Sequence, residues 1–362
     1  KIIPMTPKIV FAGGGTAGHV EPALSVAHQW MKENPGDKCI FVGTAHGLET
    51  TLVPSAGFTL RTIKKVVLTR KFSLAALLFP LNFLQAITQA RSAIKGASLV
   101  VGFGGYVSAA TYVAAKSCGI PIVIHEANAR PGIANRLGAL FTSALAVSTP
   151  VQSAPFNKAL ITGMPLKNSI IELITRPQSD WQSQRMAAKR SLGFDDALPL
   201  VLVVGGSQGS LVMNSVIEKS LRSLLEKKIQ VMHSVGKKNA LPTAQSGYQA
   251  HSYIVDMAAA YLAADLVISR SGAVTCSEFE ALGKYALFIP LAIGNGEQLP
   301  NAQHLANLGR AQVISQNEFT SQWLLANIDS LLAASKERSA QVSTVNSTAH
   351  EKITALMQNV LS

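Results

Sequence analysis

Short runs of apolar residues alternate along this chain with longer stretches in which apolar residues recur every third or fourth position. In the first half the runs are Lys8–Ala12, Cys39–Val42, Leu99–Val101, Pro121–Ile124 and Leu145–Val147, separated by helical stretches such as Pro22–Met31 and Ala75–Ile94. The rhythm returns in Leu200–Val204, Ile229–Ser234, Leu266–Ser269 and Ala286–Ile289, with helices predicted near Leu211–Leu225, Asp256–Ala263, Ala273–Leu282 and Pro300–Leu308. Continuous apolar runs suit strands buried on both faces, and their alternation with helices predicts parallel sheets. The chain therefore reads as α/β, with two parallel-sheet domains in series and a seam near Gly163-Met-Pro165. Ile353, Leu356, Met357, Val360 and Leu361 recur at helical spacing, so a terminal amphipathic helix needs an apolar surface, which need not belong to the domain before it.

Composition supports two cores: 362 residues, 48% hydrophobic and 14% charged. The net charge of +12 is concentrated in residues 1–166, which hold 15 Lys and Arg against 5 Asp and Glu. No acid occurs between Glu49 and Glu126, whereas Arg61, Lys64, Lys65, Arg70 and Lys71 immediately precede the apolar run from Leu74 to Phe83. Cations flanking an apolar patch suit a peripheral dock on an anionic membrane surface, with Lys64, Lys65, Arg70 and Lys71 attracting lipid and Leu77, Leu78, Phe79 and Phe83 inserting. The alternative is a core helix with cations solubilising its ends. Pro80, Asn82 and Gln85 interrupt the run, which is too short to span a bilayer, and no secretory leader is expected before Lys8–Ala12. Basicity alone also suits nucleic acid, but no zinc spacing, RNA-binding aromatic motif or helix-turn-helix signal accompanies it. Cys39, Cys118 and Cys276 show no CxxC spacing, which suits packing residues in a reducing compartment.

Three glycine-rich loops follow strand-like runs: Gly13-Gly-Gly-Thr-Ala-Gly-His19, Gly102-Phe-Gly-Gly-Tyr-Val-Ser108 and Gly205-Gly-Ser-Gln-Gly-Ser210. The first fits GxGxxG, yet the second strand closes on Gly43 rather than on the acid a dinucleotide site requires, and no loop ends in Gly-Lys-Ser/Thr. What the loops share is room for a close backbone approach to phosphate or sugar. Arg270-Ser-Gly-Ala273 reads as a turn opening a helix, where backbone N–H groups and the helix dipole favour a diphosphate, with Glu278 two turns on for a ribose. The alternative is a serine-capped helix without a ligand. His19 is a candidate general base beside a helix start, and His125-Glu126-Ala-Asn128 is expected at the same sheet edge, placing a carboxylate and an amide near it. The aspartates form no DxD pair, so neither a metal nor another cofactor is expected, and leaving-group charge falls to helix N-termini and cations.

Together these motifs resemble the MurG family, bacterial UDP-N-acetylglucosamine transferases that complete lipid II. The resemblance runs from Gly14-Gly-Thr-Ala-Gly-His-Val-Glu-Pro-Ala-Leu24 through Gly102–Ser108, His125–Asn128 and Gly205–Gly209 to Ser271–Ala273, Glu278, Gly296-Glu-Gln298 and Asn301. It implies a GT-B fold of two Rossmann-like parallel-sheet domains facing a cleft. Residues 1–166, joined by a last helix over 345–362, would take the acceptor and dock on the membrane, and residues 167–344 would take the donor. It further implies Thr16, Ala17, Gly18 and Asn128 near the transferred sugar, and Gly104, Gly105 and Tyr106 toward the acceptor. Lys167, Ser207, Gln208, Asn214, Ala273, Val274 and Thr275 would serve the donor, Ile254 the uracil, Glu278 the ribose, and Gln298 and Asn301 the sugar. Lys167 stands where an arginine is usual, keeping the charge but not the bidentate fork. The implied reaction is an inverting displacement by the C4 hydroxyl of the muramoyl sugar of lipid I, with His19 or Glu126 as base. Implied too are a peripheral place on the cytoplasmic face of the bacterial plasma membrane and partners among cell-wall synthesis proteins. A non-catalytic nucleotide-sugar binding protein and a sugar 2-epimerase on the same fold remain open.

Overall fold

The computed structural model describes residues 6–66, 78–206, 208–291, 296–338 and 342–362. They form two compact units, residues 1–167 with 345–362 and residues 168–344.

In unit 1, strands β1 (Lys8–Ala12), β2 (Lys38–Gly43), β3 (Thr59–Thr62), β4 (Leu99–Gly102), β5 (Ile122–Glu126), β6 (Leu145–Val147) and β7 (Leu160–Ile161) form one sheet in the order β3-β2-β1-β4-β5-β6-β7. Every pairing is parallel. Its helices are α1 (Ala17–Glu33), α2 (Glu49–Ser55), α3 (Phe79–Ala93), α4 (Tyr106–Ser117) and α5 (Ile133–Gly138). In unit 2, β8 (Leu200–Val204), β9 (Gln230–Ser234), β10 (Tyr248–His251), β11 (Leu266–Ser269), β12 (Ala286–Phe288) and β13 (Ala311–Val313) run β10-β9-β8-β11-β12-β13, again all parallel. Its helices are α6 (Asn168–Ile174), α7 (Trp181–Ser191), α8 (Leu211–Glu226), α9 (Met257–Ala263), α10 (Ala273–Leu282), α11 (Gln298–Asn307) and α12 (Ser321–Arg338).

Both sheets thus have the doubly wound order, in which the direction of winding reverses between the first and fourth local strands. The central strands are fully apolar because helices cover both faces: Ile9, Val10, Phe11, Leu99, Val100 and Val101 are all at 0% exposure. The edge strand β3, Thr-Leu-Arg-Thr, is mostly exposed and mixes polar with apolar residues, so no hydrophobic run betrays it in the sequence. The final helix, α13 (Ala349–Leu361), buries Ile353 and Met357 in the same apolar cluster as Val20, Ala23, Leu24 and Ala27 of α1. Thr354 and Gln358 of α13 also donate hydrogen bonds to Glu33, at 3.1 and 3.2 Å.

Two boundaries differ from the sequence reading and matter for the site. Helix α1 begins at Ala17, not Pro22, so His19 lies inside its first turn and Pro22 within the helix, where it leaves the Gly18 carbonyl without an i→i−4 donor. Strand β5 continues through Glu126, so His125 and Glu126 end the strand instead of following it.

Candidate active site

In unit 1 the chain reversal lies between β1 and β4, and the loops leaving these two strands are the first two glycine loops. They interlock. Gly104 and Gly105 adopt φ of 94° and 83°, which only glycine takes without strain. A methyl on Gly105 would stand 2.8 Å from the Gly14 carbonyl and 3.3 Å from His19 Nδ1, so the absence of a side chain makes the room that His19 occupies. Ser108 Oγ ties the loops together, donating at 2.9 Å toward the Ala12 carbonyl or at 2.7 Å toward that of Gly104. His19 Nδ1 lies 3.2 Å from the Gly14 carbonyl and 3.2 Å from Thr16 Oγ1. A carbonyl can only accept, so Nδ1 carries the proton and the basic lone pair sits on Nε2. Thr16 is the extended residue before α1 but does not cap it, its hydroxyl being turned to the imidazole. Ala17 and Gly18 are half-buried in the first turn, and Tyr106, at the start of α4, is exposed.

Glu49, at the start of α2, is fully buried and was missed by the sequence reading. Its Oε2 accepts the Gly15 amide at 3.0 Å and its Oε1 accepts the Thr44 amide and hydroxyl, both at 2.7 Å. The acid absent from the end of β2 comes six residues later and reaches back, filling with a carboxylate the anion position that a GxGxxG loop otherwise offers to phosphate.

Glu126 is likewise buried, and four donors converge on it. Oε1 accepts the Asn128 amide at 2.9 Å and its Nδ2 at 3.1 Å, while Oε2 accepts the Gly132 amide at 2.9 Å and Asn135 Nδ2 at 2.9 Å. Gly132 is the residue before α5, so Glu126 serves the start of that helix despite lying six residues upstream, a role its sequence position did not suggest. Burial holds His125, on the same strand, neutral, with its pKa lowered to about 4.

In unit 2 the reversal lies between β8 and β11. The Gly205–Ser210 loop leaves β8, and Ser210 Oγ caps α8 by accepting the Met213 amide at 3.4 Å. Gly272, extended and without a side chain, precedes α10, so Ala273, Val274 and Thr275 begin a helix that no side chain caps. Beside it, Ser271 Oγ donates to the Gln298 carbonyl at 2.8 Å and Asn301 Nδ2 to the Ser271 carbonyl at 3.4 Å, bringing the start of α11 to the start of α10. Gln298 Oε1 accepts the Leu291 amide at 2.9 Å. Glu278 is buried, with Tyr261 Oη donating to its Oε2 at 3.0 Å. Burial and the Glu278 charge both push the Tyr261 phenol well up, so it remains a donor.

Asn214 braces the site from behind: Nδ2 donates to the Val235 carbonyl at 3.0 Å and Oδ1 faces His233 Nε2 at 3.0 Å. Ile254 is buried and Gln208 exposed, while Ser207 lies outside the described residues. Lys167, in unit 1, pairs with Glu21 at 2.9 Å. Among the described residues no group of His, Cys, Asp and Glu is arranged to hold a metal ion.

The known proteins this chain matches agree in both halves. The N-terminal domain of glycosyltransferase family 28 matches residues 9–147 and the C-terminal domain of the same family residues 200–358. A UDP-N-acetylglucosamine--N-acetylmuramyl-(pentapeptide) pyrophosphoryl-undecaprenol N-acetylglucosamine transferase of Corynebacterium glutamicum is 41% identical, covering 96% of both chains. The Streptomyces coelicolor protein of that name is 40% identical over 90% of this chain and 89% of its own. Among solved structures, Acinetobacter baumannii MurG superposes with a TM-score of 0.69 at 25% identity, covering 98% of this chain and 99% of that one. This chain belongs to the MurG family. The two doubly wound units are the GT-B fold of that family, as expected. UDP-GlcNAc 2-epimerase from Neisseria meningitidis shares the fold at a TM-score of 0.67 but only 14% identity, a likeness of architecture alone.

The surface expected to meet a membrane is partly described: Arg70, Lys71 and Leu77 lie outside the described residues. Helix α3 places Phe79 and Phe83 in a stacked pair, ring centroids 5.6 Å apart, packed inward on the unit 1 core. The exposed apolar face is instead Leu78, Leu81 and Leu84, because the rings sit one turn apart on the side facing the sheet. Lys64 and Lys65 are exposed, and Lys64 Nζ donates to Gln85 of α3 at 2.8 Å, which sets this cation beside the leucines. No helix among the described residues is long and apolar enough to cross a membrane.

Proposed function

We propose that this chain transfers N-acetylglucosamine from UDP-N-acetylglucosamine to the C4 hydroxyl of the muramoyl sugar in undecaprenyl-pyrophosphoryl-MurNAc-pentapeptide, with inversion and release of UDP. The observation that carries the reading is a difference between the two reversal points. In unit 1 the glycine-loop amide of Gly15 is already held by Glu49, whereas in unit 2 the start of α10 is uncapped beside a second glycine loop. A diphosphate finds open N–H groups and a helix dipole at the start of α10, and Glu278 in the same helix suits the ribose hydroxyls. Gln298 and Asn301, gathered at the same turn, suit the donor sugar. His19 Nε2 takes the proton of the attacking hydroxyl, its tautomer fixed by Gly14. Glu126 has four donors on its oxygens and serves to shape the loop that presents Asn128. Charge developing on UDP is met by the fixed dipole of α10.

A polyprenyl acceptor stays in its bilayer, so the enzyme must come to it. Leu78, Leu81 and Leu84 beside Lys64 and Lys65 suit a peripheral hold on anionic lipid, at the cytoplasmic face where the nucleotide sugar is available. The decisive experiment measures UDP release from UDP-N-acetylglucosamine with and without a short-chain acceptor bearing the MurNAc-pentapeptide. Release that depends on acceptor is expected, and interconversion of UDP-N-acetylglucosamine without acceptor would instead indicate an epimerase.

A further inference from the structure

At the end of β11, Arg270 is 9% exposed and its guanidinium makes three hydrogen bonds: Nη1 to the Ile289 carbonyl at 2.9 Å, and Nη2 to Ser210 Oγ at 2.8 Å and to Gln316 Oε1 at 2.6 Å. All three acceptors are neutral, and no carboxylate among the described residues forms an ion pair with it. The contrast within unit 2 is plain, since the comparably buried Lys189 is matched by Asp265 at 2.6 Å. Arginine cannot escape burial by losing its proton, and an unmatched buried ion is costly unless something supplies the opposite charge.

Its position says what that something is. Arg270 holds Ser210, the last residue of the glycine loop, and is followed directly by Ser271 and Gly272 at the open start of α10. The corresponding loop of unit 1 is held by a buried group of the other sign, Glu49. We infer that Arg270 is a positioning residue and built-in counter-charge for the donor diphosphate, holding Ser210 at the end of the glycine loop and favouring the anion without touching it. This rests on the reading of unit 2 as the donor site.

Calorimetry of UDP and of uridine binding to the parent, Arg270→Lys and Arg270→Met tests this, because uridine keeps the base and ribose but carries no charge. In Arg270→Met the preference for UDP over uridine should fall about tenfold or more, with uridine affinity held within about threefold. Arg270→Lys, which keeps the charge but not the fork, should retain most of the preference. Equal loss of UDP and uridine in the methionine variant, or a preference lost as fully in lysine as in methionine, would make Arg270 a structural clamp and overturn the inference. If the methionine variant does not fold, the lysine variant decides alone: a retained preference supports the counter-charge and a collapsed one removes it. A parent that binds UDP no better than uridine would overturn the donor site itself, and this inference with it.

Discussion

At the residue scale, Glu278 and His19 are set apart by what surrounds them. Glu278 sits in the helix that begins at the uncapped turn, with one oxygen held by Tyr261. Replacing it with alanine should remove a charge-assisted hydrogen bond to ribose worth roughly 1.5–3 kcal/mol. UDP affinity should then fall about tenfold or more, and calorimetry reads this directly. His19 is proposed to act on the other substrate. His19→Ala should leave UDP affinity nearly unchanged while turnover falls about a hundredfold or more, since a base acts in the transition state. A loss confined to acceptor KM would make it a binding group. The motifs single out both positions at the glycine loop and the helix start, whereas nothing in the sequence marks the contacts of Glu49, Tyr261 and Arg270. Their hydrogen bonds reach 34, 17 and 60 residues along the chain, and only the folded sheet brings such partners together.

At the element scale, buried strands were the readable part. Leu145–Val147, Leu200–Val204 and Leu266–Ser269 have the boundaries that their apolar runs predict, because a strand covered on both faces has no polar positions to blur its ends. The edge strands β3, β7, β10 and β13 escape notice for the opposite reason: one side meets solvent and the residue pattern relaxes. Helix α3 shows a subtler limit. Periodicity marks an apolar helix but not which face is inward, and the aromatic pair turned out to face the core. The exposed leucines carry the next expectation. Leu81→Ser with Leu84→Ser should weaken binding to anionic vesicles severalfold or more, each leucine contributing up to about 1.5–3 kcal/mol of apolar burial. Lys64→Gln with Lys65→Gln should weaken the salt-sensitive part of the same binding. Turnover of a short-chain, water-soluble acceptor should survive both pairs; its collapse would place this face in the active site or the core.

At the scale of the whole molecule, buried titratable groups set a pH window for stability. Burial holds His125 in unit 1 and His233 in unit 2 neutral, each with its pKa lowered to about 4. The unfolded chain takes up protons near pH 6.5 that the folded chain refuses until about pH 4, so both units should lose stability as pH falls through that interval. On the alkaline side burial, and then the neighbouring Arg185, bring the Lys284 amine down to about 7, against the opposing pull of Asp265. Here too the unfolded chain is the better proton binder, so unit 2 gains stability as pH rises above 7 toward the ordinary lysine range. Lys284→Met should flatten that rise, by up to about 1.4 kcal/mol per pH unit, in denaturant titrations at pH 7, 8 and 9. An unchanged slope would place the charge change elsewhere.

Helix α13 lies at the far end of the chain yet completes the apolar cluster around α1. On the ribosome, residues 1–167 emerge long before their closing helix, and all of unit 2 is made in between. During that interval Val20, Leu24 and their neighbours lack the cover that Ile353 and Met357 later provide, so unit 1 is begun before unit 2 and finished after it. The nascent chain thus carries an unsealed apolar surface for the time it takes to translate all of unit 2.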